Sequence, residues 1–136
     1  MTLQDKNIRM ANVVVLAHFA ITVLHGISHG SLHIALPTWA NLFVFLVIVI
    51  GPLDGLLLLK LRKYVLGAWT LFATLSASLV FGLWNHFVII GPDHVAHLPQ
   101  GSWQIPFQIT AVLLPLTEAA GALIAARMMR TEARAR

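Results

Sequence analysis

Residues 18–33 read HFAITVLHGISHGSLH and contain four of the seven histidines in the chain, at positions 18, 25, 29 and 33. Successive residues of an α-helix are rotated by about 100°, so these four histidines and Thr22 fall within a stripe about 80° wide. The residues between them are apolar or small. The pattern therefore predicts one helix that carries a continuous edge of imidazoles on an otherwise apolar surface.

The composition around this stretch is that of a membrane protein. Of 136 residues, 58% are hydrophobic and only 10% are charged, which is far more apolar than a soluble domain. The chain has no cysteine, which excludes disulfides and thiolate metal sites. Its nine Lys and Arg lie at the chain ends and in one short turn. Because they form no basic patch on a polar surface, no nucleic acid is expected as a partner.

Four apolar segments are long enough to cross a hydrocarbon core, which needs about 20 helical residues. They cover residues 10–34, 39–60, 64–90 and 105–127. The connection between the first and second segments contains Pro37, followed by Thr38 as the expected N-cap of the second helix. We predict a single transmembrane domain over 1–136, folded as an all-α, up-down four-helix bundle in the lipid bilayer. A homo-oligomer and a larger membrane complex are both left open as partners.

The basic residues predict the orientation of this bundle. Lys and Arg in short loops favour the cytoplasmic side, and they occur here on one side only, as Lys6 and Arg9, in the 60–63 turn, and as Arg127, Arg130, Arg134 and Arg136. Both termini are therefore predicted to be cytoplasmic in a bacterial-type inner or plasma membrane, with the 35–38 and 91–104 loops outside. Small residues, including Gly26 and Gly30, predict close helix contact around the polar positions.

The polar side chains form two tiers when depth is estimated from a rise of about 1.5 Å per residue. The inner tier contains His18 and Glu118 near the midplane, where they could pair, and Asp54 in the inner half. The outer tier contains the remaining histidines and one aspartate, namely His25, His29, His33, His86, Asp93, His94 and His97. Ionisable groups in membrane helices are costly and are candidates for function.

The outer tier predicts a transition-metal site that holds Zn, Fe or Cu. Imidazole is a common ligand of these metals, and histidines four residues apart on one helix can share an ion. We expect His25 with His29, or His29 with His33, to chelate the metal, completed by His86 or by the loop that contains Asp93, His94 and His97. Such a site suits either a metal-dependent enzyme or a metal-handling accessory protein.

Two alternatives remain open at this point. A haem b could lie between the first and third helices, held axially by His86 and by His25 or His29, with Gly26 and Gly30 giving room for the porphyrin. Such a subunit would transfer electrons or react with quinones. Alternatively, His18, Thr22, His25 and His29 could form a proton or ion path that links Glu118 and Asp54 to the outer face.

The spacings His-x3-His within 25–33 and His-x2-His within 94–97 resemble the histidine boxes of membrane desaturases and hydroxylases. That resemblance implies a di-iron centre, but it covers only these two short stretches. Those families place their boxes on the cytoplasmic side, whereas the boxes here are predicted to face outward. The resemblance therefore does not assign the chain to either family.

Overall fold

The computed structural model describes residues 3–134, with side chains as far as Thr131, and all regular structure in this part of the chain is helical. The four helices are α1 (Leu3–Ser31), α2 (Thr38–Lys60), α3 (Tyr64–Val88) and α4 (Gln104–Arg134). All four are long and apolar enough to cross a membrane, as predicted. Membrane insertion and the orientation of the termini remain predictions. Residues 1, 2, 135 and 136 of the predicted domain, Arg136 of the basic set among them, lie outside the described residues.

We call the two ends of this bundle the histidine end and the basic end. The histidine end contains the 32–37 and 89–103 loops, and the basic end contains Lys6, the 61–63 turn and Arg127. An apolar core fills the basic end, where Leu56, Leu71, Leu75, Ala125 and Met128 are all buried. A second, smaller cluster closes the histidine end. The buried polar side chains, His18, Thr22 and Glu118 among them, belong to neither cluster.

The first helix ends three residues earlier than predicted because the chain turns at His33. This residue has a left-handed φ of 54°. The N–H of His33 donates to the carbonyl of Gly30, and the N–H of Ile34 donates to that of His29, which is the Schellman arrangement of a helix C-terminus. The turn directs the His33 side chain to the exposed surface.

The second helix also begins differently from the prediction. Pro37 occupies the N-cap position with an extended backbone, and no side chain caps the helix. The Pro37 carbonyl accepts the N–H groups of Ala40 and Asn41. Thr38 is therefore the first helical residue rather than the cap.

Close helix contact occurs at Gly51, Gly55, Gly67 and Gly121, but not at Gly26 and Gly30 beside the α1 histidines, where the sequence also predicts it. A Cβ atom added to Gly67 of α3 would lie 3.0 Å from the Gly55 carbonyl oxygen of α2 and 2.8 Å from Leu59. A Cβ added to Gly26 or Gly30 of α1 would meet no atom within 4 Å. The bundle is thus tightly packed at its basic end and open beside the α1 histidines.

Replacement of Gly67 by alanine will destabilise the bundle. The added methyl group would be too close to Leu59 and to the backbone of α2, and such overpacking costs about 1–3 kcal/mol. We expect a lower free energy of unfolding in detergent titrations monitored by circular dichroism. The control is Gly30→Ala, whose methyl enters open space and should leave the stability unchanged or raise it by up to about 1 kcal/mol. Equal stabilities of the two variants would contradict this packing.

Candidate metal centre

The candidate metal centre consists of three buried residues from three parts of the chain: His25 of α1, His86 of α3 and Asp93 of the following loop. One ligand atom of each residue lies within 4.8 Å of the others. Two imidazole nitrogens and a carboxylate oxygen at this separation can converge on one ion. The group therefore could bind a metal.

His25 is held by a residue of α4. Its Nδ1 lies 2.8 Å from Oγ1 of Thr110. The Thr110 hydroxyl donates its only proton to the carbonyls of Pro106 and Phe107, at 2.8 and 2.9 Å, so it accepts a hydrogen bond from Nδ1–H of His25. This fixes the tautomer and leaves a lone pair on Nε2, which is buried without a hydrogen-bond partner. An oriented and unpartnered imidazole nitrogen is what a metal ligand requires.

His86 lies in a π-helical turn, Trp84–Val88, that ends α3. Here the N–H of Ile89 donates to the Trp84 carbonyl five residues back, and such wide turns are frequent at functional sites. Nδ1 of His86 donates to the Asp93 carbonyl at 3.0 Å. The Val95 N–H donates to the His86 carbonyl in return. These two bonds fold the Gly91-Pro92 turn back over α3 and bring Asp93 to His86.

The Asp93 carboxylate lies between two histidines. Its Oδ2 is 3.5 Å from Nδ1 of His86, and its Oδ1 is 2.9 Å from Nε2 of His29. The latter pair of atoms lies at ion-pair distance, although Oδ1 makes no hydrogen bond of regular geometry. Burial alone would raise the pKa of Asp93, but the contact with His29 and the electrostatic influence of the three neighbouring imidazoles outweigh it, so the pKa lies below its usual range. The carboxylate is therefore ionised, as a ligand must be.

Phe107 forms an apolar wall on one side of the cluster. Its ring is fully buried and lies 4.4, 5.0 and 5.5 Å, centroid to centroid, from the rings of His25, His29 and His86. The rings of His25 and His86 are 4.9 Å apart at an interplanar angle of 75°. This packing restrains all three imidazoles, since ring edges and faces in contact have preferred geometries.

A cavity of about 210 Å³ adjoins the cluster. Its polar wall contains His25, His86 and Asp93 near the histidine end and Glu118 of α4 deeper in the bundle. Glu118 is buried, and its Oε2 has no hydrogen-bond partner. A Cβ on Gly82 would lie 3.9 Å from Oε2 of Glu118 and 4.0 Å from Cδ2 of His86. The carboxyl group of Glu118 and the imidazole of His86 therefore border the same open space.

The structure places the other predicted ligands outside this buried group. His29 contacts Asp93 but is not among the three converging residues. His33 and His97 are exposed and His94 is half-buried. The rings of His94 and His97 lie 5.0 Å apart in the 89–103 loop. The outer tier predicted from depth thus divides into a buried cluster and a separate loop pair.

The inner tier does not assemble as expected either. Asp54 lies on the exposed surface of α2. His18 is buried, but its ring contacts the Ile48 carbonyl, 3.2 Å from Nε2, the Thr22 hydroxyl, 3.5 Å from Nε2, and the Thr117 hydroxyl, 3.4 Å from Nδ1. The predicted pairing of His18 with Glu118 is not made. His18 and Asp54 are also not among the residues that line the cavity.

The position of His18 has a structural reason in α2. Pro52 has no N–H, so it cannot donate to the carbonyl of Ile48 four residues back, as a regular helix would require. The helix widens into a π-helical segment at Val44–Ile50, and Nε2 of His18 donates to the Ile48 carbonyl. His18 thus satisfies a polar backbone group that the proline leaves open.

Replacement of His18 by phenylalanine will therefore destabilise the protein without removing a metal ligand. A buried carbonyl that loses its donor costs about 1–3 kcal/mol, measurable as a lower free energy of unfolding. His18→Gln, whose amide can donate but does not titrate near neutrality, should restore most of this loss. If the glutamine variant is as unstable as the phenylalanine variant, the assigned role of His18 is wrong.

Sequence reasoning missed the two α4 residues that organise the site, Thr110 and Phe107. A signal existed, because Thr110, Thr117 and Glu118 are seven and eight residues apart and share one face of a helix. That face points at the α1 histidines in the structure. No comparable signal marked Phe107 among the other apolar residues of α4.

Comparisons with protein-family models, with curated proteins and with solved structures give no match for this chain. The resemblance of 25–33 and 94–97 to histidine boxes gains no support from them. The chemistry of the His25, His86 and Asp93 cluster is therefore what carries a functional assignment.

Proposed function

We propose that this protein is a membrane metalloprotein that binds one transition-metal ion through His25, His86 and Asp93. The observation that carries the proposal is the convergence of three buried ligand atoms within 4.8 Å, of which Nε2 of His25 has no other partner. His29 supports the site through its contact with Asp93. Polar neighbours that contact a ligand orient it in metal sites.

The ligand set favours zinc or iron(II). Two imidazoles and a carboxylate bind zinc in catalytic sites and iron in the facial arrangement of non-haem oxygenases. Copper, the third metal expected from the sequence, also binds imidazole, but the site has no sulfur ligand of the kind that selects copper(I). Three protein ligands leave coordination positions open, and the adjoining cavity gives a small molecule room to reach them. This arrangement suits metal-dependent chemistry on a bound molecule better than a closed structural site.

The haem b alternative is not supported. The cavity, at about 210 Å³, is comparable with a site of about 150 Å³ that holds benzene, and a porphyrin is much larger. The His25 and His86 rings are 4.9 Å apart and T-shaped, so no porphyrin plane separates them. A haem would require the helices to move apart.

A proton path is a second candidate function, favoured by the unpartnered Oε2 of Glu118. The cavity connects this carboxyl group to Asp93 without passing His18 or Asp54. Such a path needs water in the cavity. It predicts that Glu118→Gln lowers proton flux into liposomes and leaves metal content unchanged, whereas unchanged flux would exclude it.

The membrane context is part of the proposal. The four apolar helices support insertion, and the basic residues at one end support cytoplasmic termini in a bacterial-type inner or plasma membrane. In this orientation the metal lies near the outer face. The lipid bilayer is the main proposed partner. The proposal is also compatible with assembly of the chain with a second copy or with another subunit.

The test is metal uptake by the purified protein. After incubation with zinc or iron(II) and removal of free metal, elemental analysis should give one ion per chain. Cobalt(II) in the same site should give visible bands typical of nitrogen and oxygen ligands. Uptake that stays below one ion per ten chains for all three metals would refute the metal centre.

A further inference from the structure

The cavity beside the candidate metal centre reaches two exposed residues, Gly26 of α1 and Asn41 of α2. Gly26 of α1 lines the cavity and is also exposed at the surface of the bundle. A Cβ atom at Gly26 would meet nothing within 4 Å. No side chain therefore closes the cavity at Gly26.

The packing of the helices explains the opening. α4 packs along both α1 and α3, and α2 packs against α3. α1 meets α2 mainly in the Val44–Ile50 and Gly51–Lys60 segments, nearer the basic end. Thr38–Phe43, the first part of α2, is not packed on α1 to a comparable extent, so the two helices separate toward the histidine end.

The opening lies below the ends of both helices. Gly26 is five residues before the end of α1, and Val44, which lines the opposite side, is six residues after the start of α2. A rise of about 1.5 Å per residue places them about 8 Å and about 9 Å inside those ends. In a bilayer this is the boundary between headgroups and acyl chains.

The two walls of the cavity differ in chemistry. One wall is apolar and contains Val44, Ile48, Phe81 and Leu114. The other presents His25, His86 and Asp93. Pockets that are mainly apolar with a few convergent polar groups are typical binding sites for small organic molecules.

We propose that this cavity takes up a small amphiphile from the bilayer through the Gly26 opening. Its apolar part lies against Val44, Ile48 and Leu114, and its polar group, a hydroxyl or carbonyl oxygen, meets the metal at His25, His86 and Asp93. This proposal adds a class of ligand to the metal-centre proposal. Only the contact between the polar group and the metal rests on that earlier proposal. A cavity of about 210 Å³ limits the occupant to a molecule somewhat larger than benzene, since a cavity of about 150 Å³ holds benzene.

The test uses two glycines of α1 that differ in one respect. Gly26 and Gly30 both have open space at the Cβ position, but only Gly26 is among the residues that line the cavity. Gly26→Leu should block the opening, and Gly30→Leu is the matched control. Val44→Trp, which narrows the opening from α2, serves as a second variant in case Gly26→Leu does not fold.

The first probe is a diazirine-bearing hexanol, used on metal-free protein in lipid nanodiscs and mapped by mass spectrometry. We expect labelling of the buried Ile48 in the wild type and in Gly30→Leu, and at least a tenfold loss in Gly26→Leu or Val44→Trp. The exposed Leu116 of α4 should be labelled equally in all variants. Absence of label from Ile48 in the wild type, or equal labelling of Ile48 in the two leucine variants, would overturn the proposal.

The second probe is hexanohydroxamic acid, used on cobalt-loaded protein. It should change the cobalt spectrum of the wild type and of Gly30→Leu, and should need at least ten times the concentration in Gly26→Leu. Equal response in both variants would overturn lateral entry. Failure of the wild type to bind cobalt, with the hexanol labelling pattern intact, would refute the metal centre and support the lateral pocket.

Discussion

Replacement of His86 by alanine is expected to weaken metal binding by more than about 100-fold. The residue supplies one of three converging ligands and also holds Asp93 in place through its Nδ1. Loss of a group that only orients a ligand weakens metal binding about 10- to 100-fold, so loss of a ligand should exceed about 100-fold. We expect the same of His25→Ala and Asp93→Ala. Isothermal titration with zinc, with total metal checked by elemental analysis, measures the effect.

The chain offers its own controls for this prediction. His33 and His97 are exposed, and His94 faces His97 at 5.0 Å. Alanine at any of these three should leave zinc affinity within about threefold of the wild type, since none of them lies in the buried cluster. His29→Ala should have an intermediate effect of about 10- to 100-fold, because it contacts Asp93 rather than joining the three ligands. Loss of zinc in the His94 and His97 variants, with retention in His86→Ala, would place the site in the loop.

Replacement of Thr110 by valine is expected to weaken metal binding about 10- to 100-fold while the stoichiometry at saturation stays at one. Valine has nearly the shape of threonine but cannot accept the Nδ1–H bond of His25. The imidazole then loses its fixed tautomer and orientation. Zinc titrations of Thr110→Val measure the loss directly.

The matched variant for this prediction is Thr110→Ser. Serine keeps the hydroxyl that accepts from His25 and donates to the helix backbone, so its zinc affinity should lie within about threefold of the wild type. If serine and valine weaken binding equally, the effect comes from packing of the methyl group and not from the hydrogen bond to His25.

The sequence predicted the helical framework well because hydropathy depends on composition over long segments. Four apolar runs of about 20 residues can form little else in a membrane, and four helices of that length are present. The helix ends were less predictable. The end of α1 depends on a left-handed residue at His33, a conformation that glycine usually supplies.

The candidate site was only partly predictable for a related reason. Depth along a helix, estimated from 1.5 Å per residue, gave the level of His25, His29 and His86 but not the direction in which loop residues point. Asp93 turns inward because its carbonyl accepts from His86, whereas His94 and His97 pair with each other. Sequence spacing alone does not distinguish these three neighbours.

The glycines show the same limit. Gly26 and Gly67 are equally small, and both lie in apolar helices. In the structure Gly67 packs against the backbone of α2, whereas Gly26 faces open space. Which glycine permits close contact and which leaves an opening depends on how the neighbouring helices pack, and the sequence of one helix does not contain that information.

X-ray absorption spectroscopy at the zinc edge of the zinc-loaded wild-type protein is the most direct test of the central claim. We predict a first shell of nitrogen and oxygen at about 2.0–2.2 Å, with outer-shell scattering from two imidazoles. The signal of one imidazole should disappear in a His25→Ala sample loaded at high zinc. A spectrum of zinc with oxygen ligands only, without imidazole scattering, would contradict the assignment of His25, His86 and Asp93 as the metal centre.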